Sequence, residues 1–210
     1  MNEPLKITVN LAVSLNDYLK PRGIKSGNRI MGMLYESSEA KAYKKYFKQE
    51  LERAVKQSTW ITEHDHNHFY IIESVIYFDK QNRDSNNMWK IMIDAITETQ
   101  LIWLDDRQAM EQCRRIYYDT KNPRMEITIR ESEFIGIFDN MDHYEQFIYK
   151  NCLGCSRYTN NCSLLKSSIE SRITEEISIE DMSCSSRKVK KEKPVKVKKE
   201  KVAKAKSLSE

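Results

Sequence analysis

The sequence predicts an α+β domain, with helices and strands mixed along the chain. Short apolar runs rich in Ile, Val and Tyr are bounded by polar turns, which is the pattern of strands. Two longer segments repeat apolar residues at helical spacing. At 210 residues the chain is long enough for one good core, and a net charge of +4 with 31% charged residues does not mark the body as a polyanion binder.

The elements follow in order. Leu5, Ile7 and Val9 alternate, predicting a strand over 5–13. Residues 16–31 read as a loop carrying Lys20, Arg22, Lys25 and Arg29. A helix is expected from about Ser38, with Ser37 or Ser38 capping its first turn. Its apolar stripe is Tyr43, Tyr46, Phe47, Leu51, Ala54 and Val55. His64, His66 and His68 alternate as metal ligands on a strand do, but their polar connector reads as a solvated turn. A second strand covers 69–78. A helix over 86–99 follows, and Asp105 and Asp106 sit in the turn beyond it. Strands are expected at 112–118 and 124–129, with Asp119, Asn122 and Pro123 turning between them. Cys113 stands alone in the first of these and reads as a buried core residue.

The helix over 86–99 carries the candidate chemistry. Met88, Ile91, Met92, Ala95 and Ile96 form its apolar face, widened by Trp89 and Ile93. Asn86, Lys90 and Asp94 recur every fourth residue and share the remaining polar stripe. By spacing alone, Lys90 and Asp94 make an ordinary surface pair. Carboxylates and a lysine converging from Asp84, Asp94, Asp105 and Asp106 also suit a hard cation held against a phosphate, since Mg2+ takes oxygen ligands and keeps waters. A lysine there neutralises charge on a phosphodiester.

These residues resemble the core of the RusA family of Holliday junction resolvases of bacteria and their phages. The family pattern is Arg-Asp-x-Asp-Asn-x-x-Lys at a strand-to-helix junction, then Trp-Leu-Asp-Asp. Here Arg83, Asp84, Asn86, Asn87 and Lys90 carry the first part, and Trp103, Leu104, Asp105 and Asp106 the second. Ser14-Leu15-Asn16 is similar to the family's Pro-Ser-x-Asn entry loop. The resemblance spans about residues 5–130 and implies a small sheet packed with helices. It also implies an endodeoxyribonuclease with Mg2+ held by Asp84, Asn86 and Asp106, and with Lys90 at the scissile phosphate. Branched DNA is the implied partner. Lys20, Arg22, Lys25, Arg29 and Asn87 are the candidate DNA contacts. A homodimer is implied, because a four-way junction needs two symmetric nicks. Asn86 departs from the family, which has an aspartate there, so one ligand lacks its charge. A noncatalytic DNA-binding protein of the same fold is the alternative reading.

The chain divides into a nuclease domain over 1–132, a Cys-rich extension over 133–184 and a disordered Lys-rich tail over 185–210. Cys152 and Cys155 form a C-x2-C pair, followed by Cys162 and Cys184. Clustered cysteines in a reducing compartment favour metal over disulfide. Tetrahedral Zn2+ is expected, its fourth ligand being Cys184 or His143. An iron–sulfur cluster uses similar spacings. Some phage proteins with a RusA-like core have a similar Cys-x-x-Cys-x-Arg-Tyr tail, which points to a phage or prophage type. The lysine run after Arg187 has too little apolar surface to fold and suits a sequence-independent arm on DNA. The N-terminus lacks a signal peptide's apolar region, and no run approaches the roughly 20 residues of a membrane span. A soluble, cytoplasmic protein of a bacterial cell or phage-infected host is expected.

Overall fold

A computed structural model describes residues 2–26, 29–62, 65 and 67–189. Strand β1 (Leu5–Asn10) leads through the short helix α1 (Leu15–Tyr18) into an antiparallel hairpin, β2 (Leu19–Ser26) and β3 (Arg29–Glu36). Helix α2 (Ser38–Lys56), strand β4 (Tyr70–Phe78) and helix α3 (Asn86–Thr99) follow. Strands β5 (Ala109–Tyr118) and β6 (Arg124–Glu131) complete the main sheet. Its order is β1-β6-β4-β5, with β4 and β5 parallel and the other pairs antiparallel. Parallel neighbours need a crossover, and α3 supplies it, which sets the start of α3 just beyond the end of β4.

The core lies between this sheet and helices α2 and α3. Alternation along β1 and β6 buries Leu5, Ile7, Val9, Met125, Ile127 and Ile129 against Phe47, Leu51, Met92 and Ile96. Ser37 caps α2, its Oγ accepting the Ala40 N–H at 3.1 Å. Met88, Trp89, Ile91, Met92, Ile93, Ala95 and Ile96 are all buried on α3. Full burial of one such large apolar side chain contributes about 2 kcal/mol, against about 0.5 kcal/mol for an exposed ion pair. The apolar face therefore holds α3 in place, and its polar stripe is not needed for that.

Three expectations are corrected. The segment expected as a basic loop over 16–31 is α1 and most of a hairpin, in which Leu19 pairs with Glu36 and Gly23 with Gly32. Pro21 and the glycines read as loop punctuation, but this two-stranded ribbon leaves its edges free of the main sheet, where such residues are tolerated. The first strand ends at Asn10 rather than 13. Cys113 is exposed, because β5 is the edge strand and has few neighbours on either face.

A second, smaller core gathers around Phe138, Phe147, Cys152, Leu165 and Ile177. It is built from α4 (Met141–Phe147), a π-helical turn (Ile148–Cys152), α5 (Ser163–Ile169) and a two-stranded ribbon, β7 (Ile177–Ser178) with β8 (Ser183–Cys184). No helix among the described residues is long and apolar enough to cross a membrane. The lysine run from 190 onward lies outside the described residues, as do His64 and His66.

Candidate active site

The polar stripe of α3 faces the turn that leads to β5. Lys90 Nζ donates to Asp94 Oδ1 at 2.7 Å and stands 3.7 Å from Asp106 Oδ2. Half of its side chain remains exposed, so the ammonium is presented outward. The hydrogen bond to Asp94, reinforced by the charge of Asp106, holds the Lys90 ammonium above its ordinary range, so it stays charged.

The two aspartates of the turn have separate tasks. Asp105 caps a 3-10 turn (Asp106–Gln108), its Oδ1 accepting the Arg107 N–H at 3.1 Å. Gln108, fully buried, returns the bond by accepting the Asp105 N–H at 3.1 Å and also donates to the Asp65 and His68 carbonyls. This anchoring leaves the next residue, Asp106, free to face Lys90.

Asp84 stands just before the start of α3, at the same half of the helix as Lys90. Its Oδ1 accepts the Asn86 N–H at 2.9 Å and its Oδ2 accepts from Asn87 Nδ2 at 3.2 Å. It therefore stabilises the first turn of the helix while remaining exposed beside exposed Asn86. Asp79 is taken by Arg83, at 2.9 and 3.2 Å, and the guanidinium holds its carboxyl below the usual range. The structure thus joins Lys90, Asp94 and Asp106 directly. It places Asp84, Asn86 and Asn87 as a second group at the helix start.

Among the described residues, no three His, Cys, Asp or Glu side chains form a group that could hold a metal ion as they stand. The oxygen donors of Asp84, Asn86 and Asp106 are nonetheless of the right chemistry for Mg2+. That ion needs only one or two protein carboxylates when water and substrate phosphate complete its shell.

Of the candidate DNA contacts, Lys20 donates to Asp17 Oδ1 at 3.0 Å and Arg22 is exposed on β2. Lys25 and Arg29 belong to the backbone of the same hairpin, near its turn. Sequence reading missed a group behind the site: Tyr18, Glu36, Lys44 and Glu98. Lys44 is buried, and its ammonium donates to Glu36 Oε1 at 2.6 Å and to Glu98 Oε1 at 2.5 Å. A lysine within the buried face of α2 was the available signal, since lysine is rarely buried unpaired.

Three cysteines, Cys152, Cys162 and Cys184, lie at the second core. Cys152 is buried there with Cys162 and Cys184 packed nearby. Burial pushes its thiol up to about 11, with Cys162, Cys184 and Cys155 adding to the effect. Gly154, with φ of +77°, turns the C-x2-C loop. The Lys188 N–H lies 3.4 Å from Cys155 Sγ. His143 is elsewhere engaged, its Nδ1 accepting the Asp139 N–H at 3.4 Å and its ring set edge-on against Phe138. Cys184 packs on the same core as Cys152 and Cys162.

A family model described as Endodeoxyribonuclease RusA matches residues 19–130, more than half of the chain. That span takes in the hairpin, α2, the β4–α3–β5 crossover and nearly all of β6. No curated protein matches the chain.

Proposed function

This chain belongs to the RusA family of endodeoxyribonucleases, and from that premise we propose that it cuts four-way junctions and other branched DNA by paired, Mg2+-dependent hydrolysis of phosphodiesters. Enzymes of the family resolve Holliday junctions and generally depend on a divalent metal ion. The observation that carries the reading is Lys90, half exposed and flanked by Asp94 and Asp106 at the edge of α3.

Asp84, Asn86 and Asp106 would hold the cation, which when bound supplies Lewis-acid polarisation of the phosphate and an activated water. Lys90 presents a permanent positive charge to the scissile phosphate or its leaving oxygen. Lys20, Arg22, Lys25 and Arg29, together on one hairpin, would track the phosphate backbone, with Asn87 nearer the cut. Two copies related by a two-fold axis would place two such sites on the opposed strands of a junction. Cleavage of branched DNA would take place in the cytoplasm of a bacterial cell or phage-infected host.

The proposed division is a nuclease domain over 1–132, a Cys-rich extension over 133–184 and a DNA-binding tail over 185–210. Two separate buried clusters, one on each side of residue 132, support the first boundary. Structural Zn2+ at Cys152, Cys155, Cys162 and Cys184 is part of the same reading. The placement of Cys152, Cys162 and Cys184 at the second core supports it, with Cys155 buried three residues beyond Cys152.

The test is a synthetic four-way junction incubated with Mg2+. Paired nicks are expected from wild type. Asp84→Asn and Asp106→Asn should keep junction binding and abolish cleavage, and Lys90→Ala should slow cleavage by roughly 100-fold or more. Wild type that binds the junction but leaves it uncut with either Mg2+ or Mn2+ would replace this reading with the noncatalytic one, to which the neutral Asn86 ligand points.

A further inference from the structure

Behind Lys90 lies a run of hydrogen bonds that reaches three other elements. Asp94 gives one oxygen to Lys90, and its second oxygen accepts the Tyr18 hydroxyl at 2.6 Å. Tyr18 closes α1 and is buried. Its hydroxyl also lies 3.1 Å from Glu36 Oε1, at the end of β3. The same Glu36 oxygen accepts from buried Lys44, whose ammonium sits 5.3 Å from the centre of the Tyr18 ring. Lys44 in turn reaches Glu98, one turn beyond Asp94 on α3. Both ends of the tyrosine are thereby held, the ring under an ammonium and the hydroxyl on a carboxylate.

A phenol has one proton to give. The shorter contact assigns it to Asp94, leaving Glu36 to its bond with Lys44. Burial, then the hydrogen bond to Asp94, raises the Tyr18 hydroxyl above its ordinary range, so it remains a donor at any working pH. Asp94 is mostly buried while Lys90 is half exposed. The carboxylate is the fixed member of that pair, and the long flexible lysine is the one that needs fixing.

We propose that Tyr18 is a positioning residue: through Asp94 it holds the Lys90 ammonium at the scissile phosphate, and it ties that ammonium to the base of the basic hairpin. The link to the hairpin is covalent, since Tyr18 directly precedes β2, whose first residue Leu19 pairs with Glu36. A strand of DNA seated on the hairpin and the charge that acts on its phosphate then share one support. The proposal rests on Lys90 acting at the phosphate.

The test is a double-mutant cycle on junction cleavage at saturating Mg2+ and DNA. Tyr18→Phe keeps the buried ring and removes only the hydroxyl. It should lower kcat about 10-fold or more, because small misplacements of a catalytic group are costly, and leave the Kd for the junction unchanged. In a Lys90→Ala background the same change should have no further effect, because its route is already cut. Asp94→Asn should behave alike, which covers the case in which Tyr18→Phe unfolds. An unchanged kcat for both Tyr18→Phe and Asp94→Asn, or the same fold-loss with and without Lys90, overturns the proposal. If Lys90→Ala itself cuts at the wild-type rate, the role given to Lys90 is what fails, and this proposal falls with it.

Discussion

Lys90 on α3 and Asp106 beyond the following turn face each other across 3.7 Å, while Asp105, one residue earlier, has its carboxylate turned into the 3-10 turn as a cap. The capping box therefore decides which of two chemically equal aspartates reaches the site. Gln108 is the hinge of that decision, being fully buried and bonded in four directions. We expect Gln108→Ala to lower cleavage of a four-way junction more than junction binding, by releasing the turn that aims Asp106. It should also cost about 2 kcal/mol of stability, since the buried amide's partners lose their bonds. Denaturant unfolding and a kcat measurement on the same variant check both parts.

The Lys44–Glu98 contact makes a pH prediction. Burial works against the charge of Glu98, but hydrogen bonds to Lys44 and Lys48 outweigh it and hold the carboxyl below its usual value. A carboxyl with a depressed folded pKa adds stability above its unfolded value, and that stability is lost as pH falls through the folded one. Wild type should therefore lose stability as pH drops below about 4.3, and Glu98→Gln should lose less over the same interval. Equal acid sensitivity in chemical unfolding curves would show that the pair contributes nothing.

For the cysteines, protein purified without chelator should carry about one zinc per chain, as a closed structural site does. Cys155→Ser should release it and loosen the second core around Phe138 and Phe147, while the main sheet stays folded. Elemental analysis finding neither zinc nor iron removes the metal from this reading.

Much of this fold was legible because it follows period. The reading of α3 over 86–99 agrees with the helix found, since seven buried apolar residues at helical spacing leave no other face to bury. Met125, Ile127 and Ile129 alternate as a strand with one buried face. The hairpin was not legible, because Pro21, Gly23 and Gly32 mark turns in most contexts and only pairing across the ribbon shows otherwise. Within the site, the residues on one helix could be placed by spacing. Tyr18, Glu36 and Lys44 could not, since they come from three other elements and meet α3 only in the folded chain.

The lysine-rich tail, outside the described residues from 190 onward, is predicted to add affinity without selectivity. Deleting residues 185–210 should weaken junction binding and flatten its salt dependence, each lost phosphate contact lowering the log–log slope by about 0.9. Positions of cleavage should not move. An unchanged slope would mean the tail does not engage DNA.

Asn86 is the position at which this chain departs from its family's usual aspartate, and its surroundings make the reverse substitution informative. Asn86 is exposed at the first turn of α3, beside Asp84, whose own carboxylate is held by the Asn86 N–H and by Asn87. Asp79 offers no ready substitute charge because Arg83 neutralises it, and Asp94 is shared between Lys90 and Tyr18. On the proposed reading the site has a neutral ligand at Asn86, and neither Asp79 nor Asp94 is free to make up its charge. Asn86→Asp should therefore lower the Mg2+ concentration needed for half-maximal cleavage, since ligand charge helps set the affinity for these cations. A carboxylate at the N-terminal turn also suits the helix dipole, so stability should hold or rise slightly, by about 0.5 kcal/mol. A titration of cleavage against Mg2+ for both proteins decides the matter. A higher Mg2+ requirement in Asn86→Asp would mean that the new charge crowds Asp84, and that Asn86 is not a ligand.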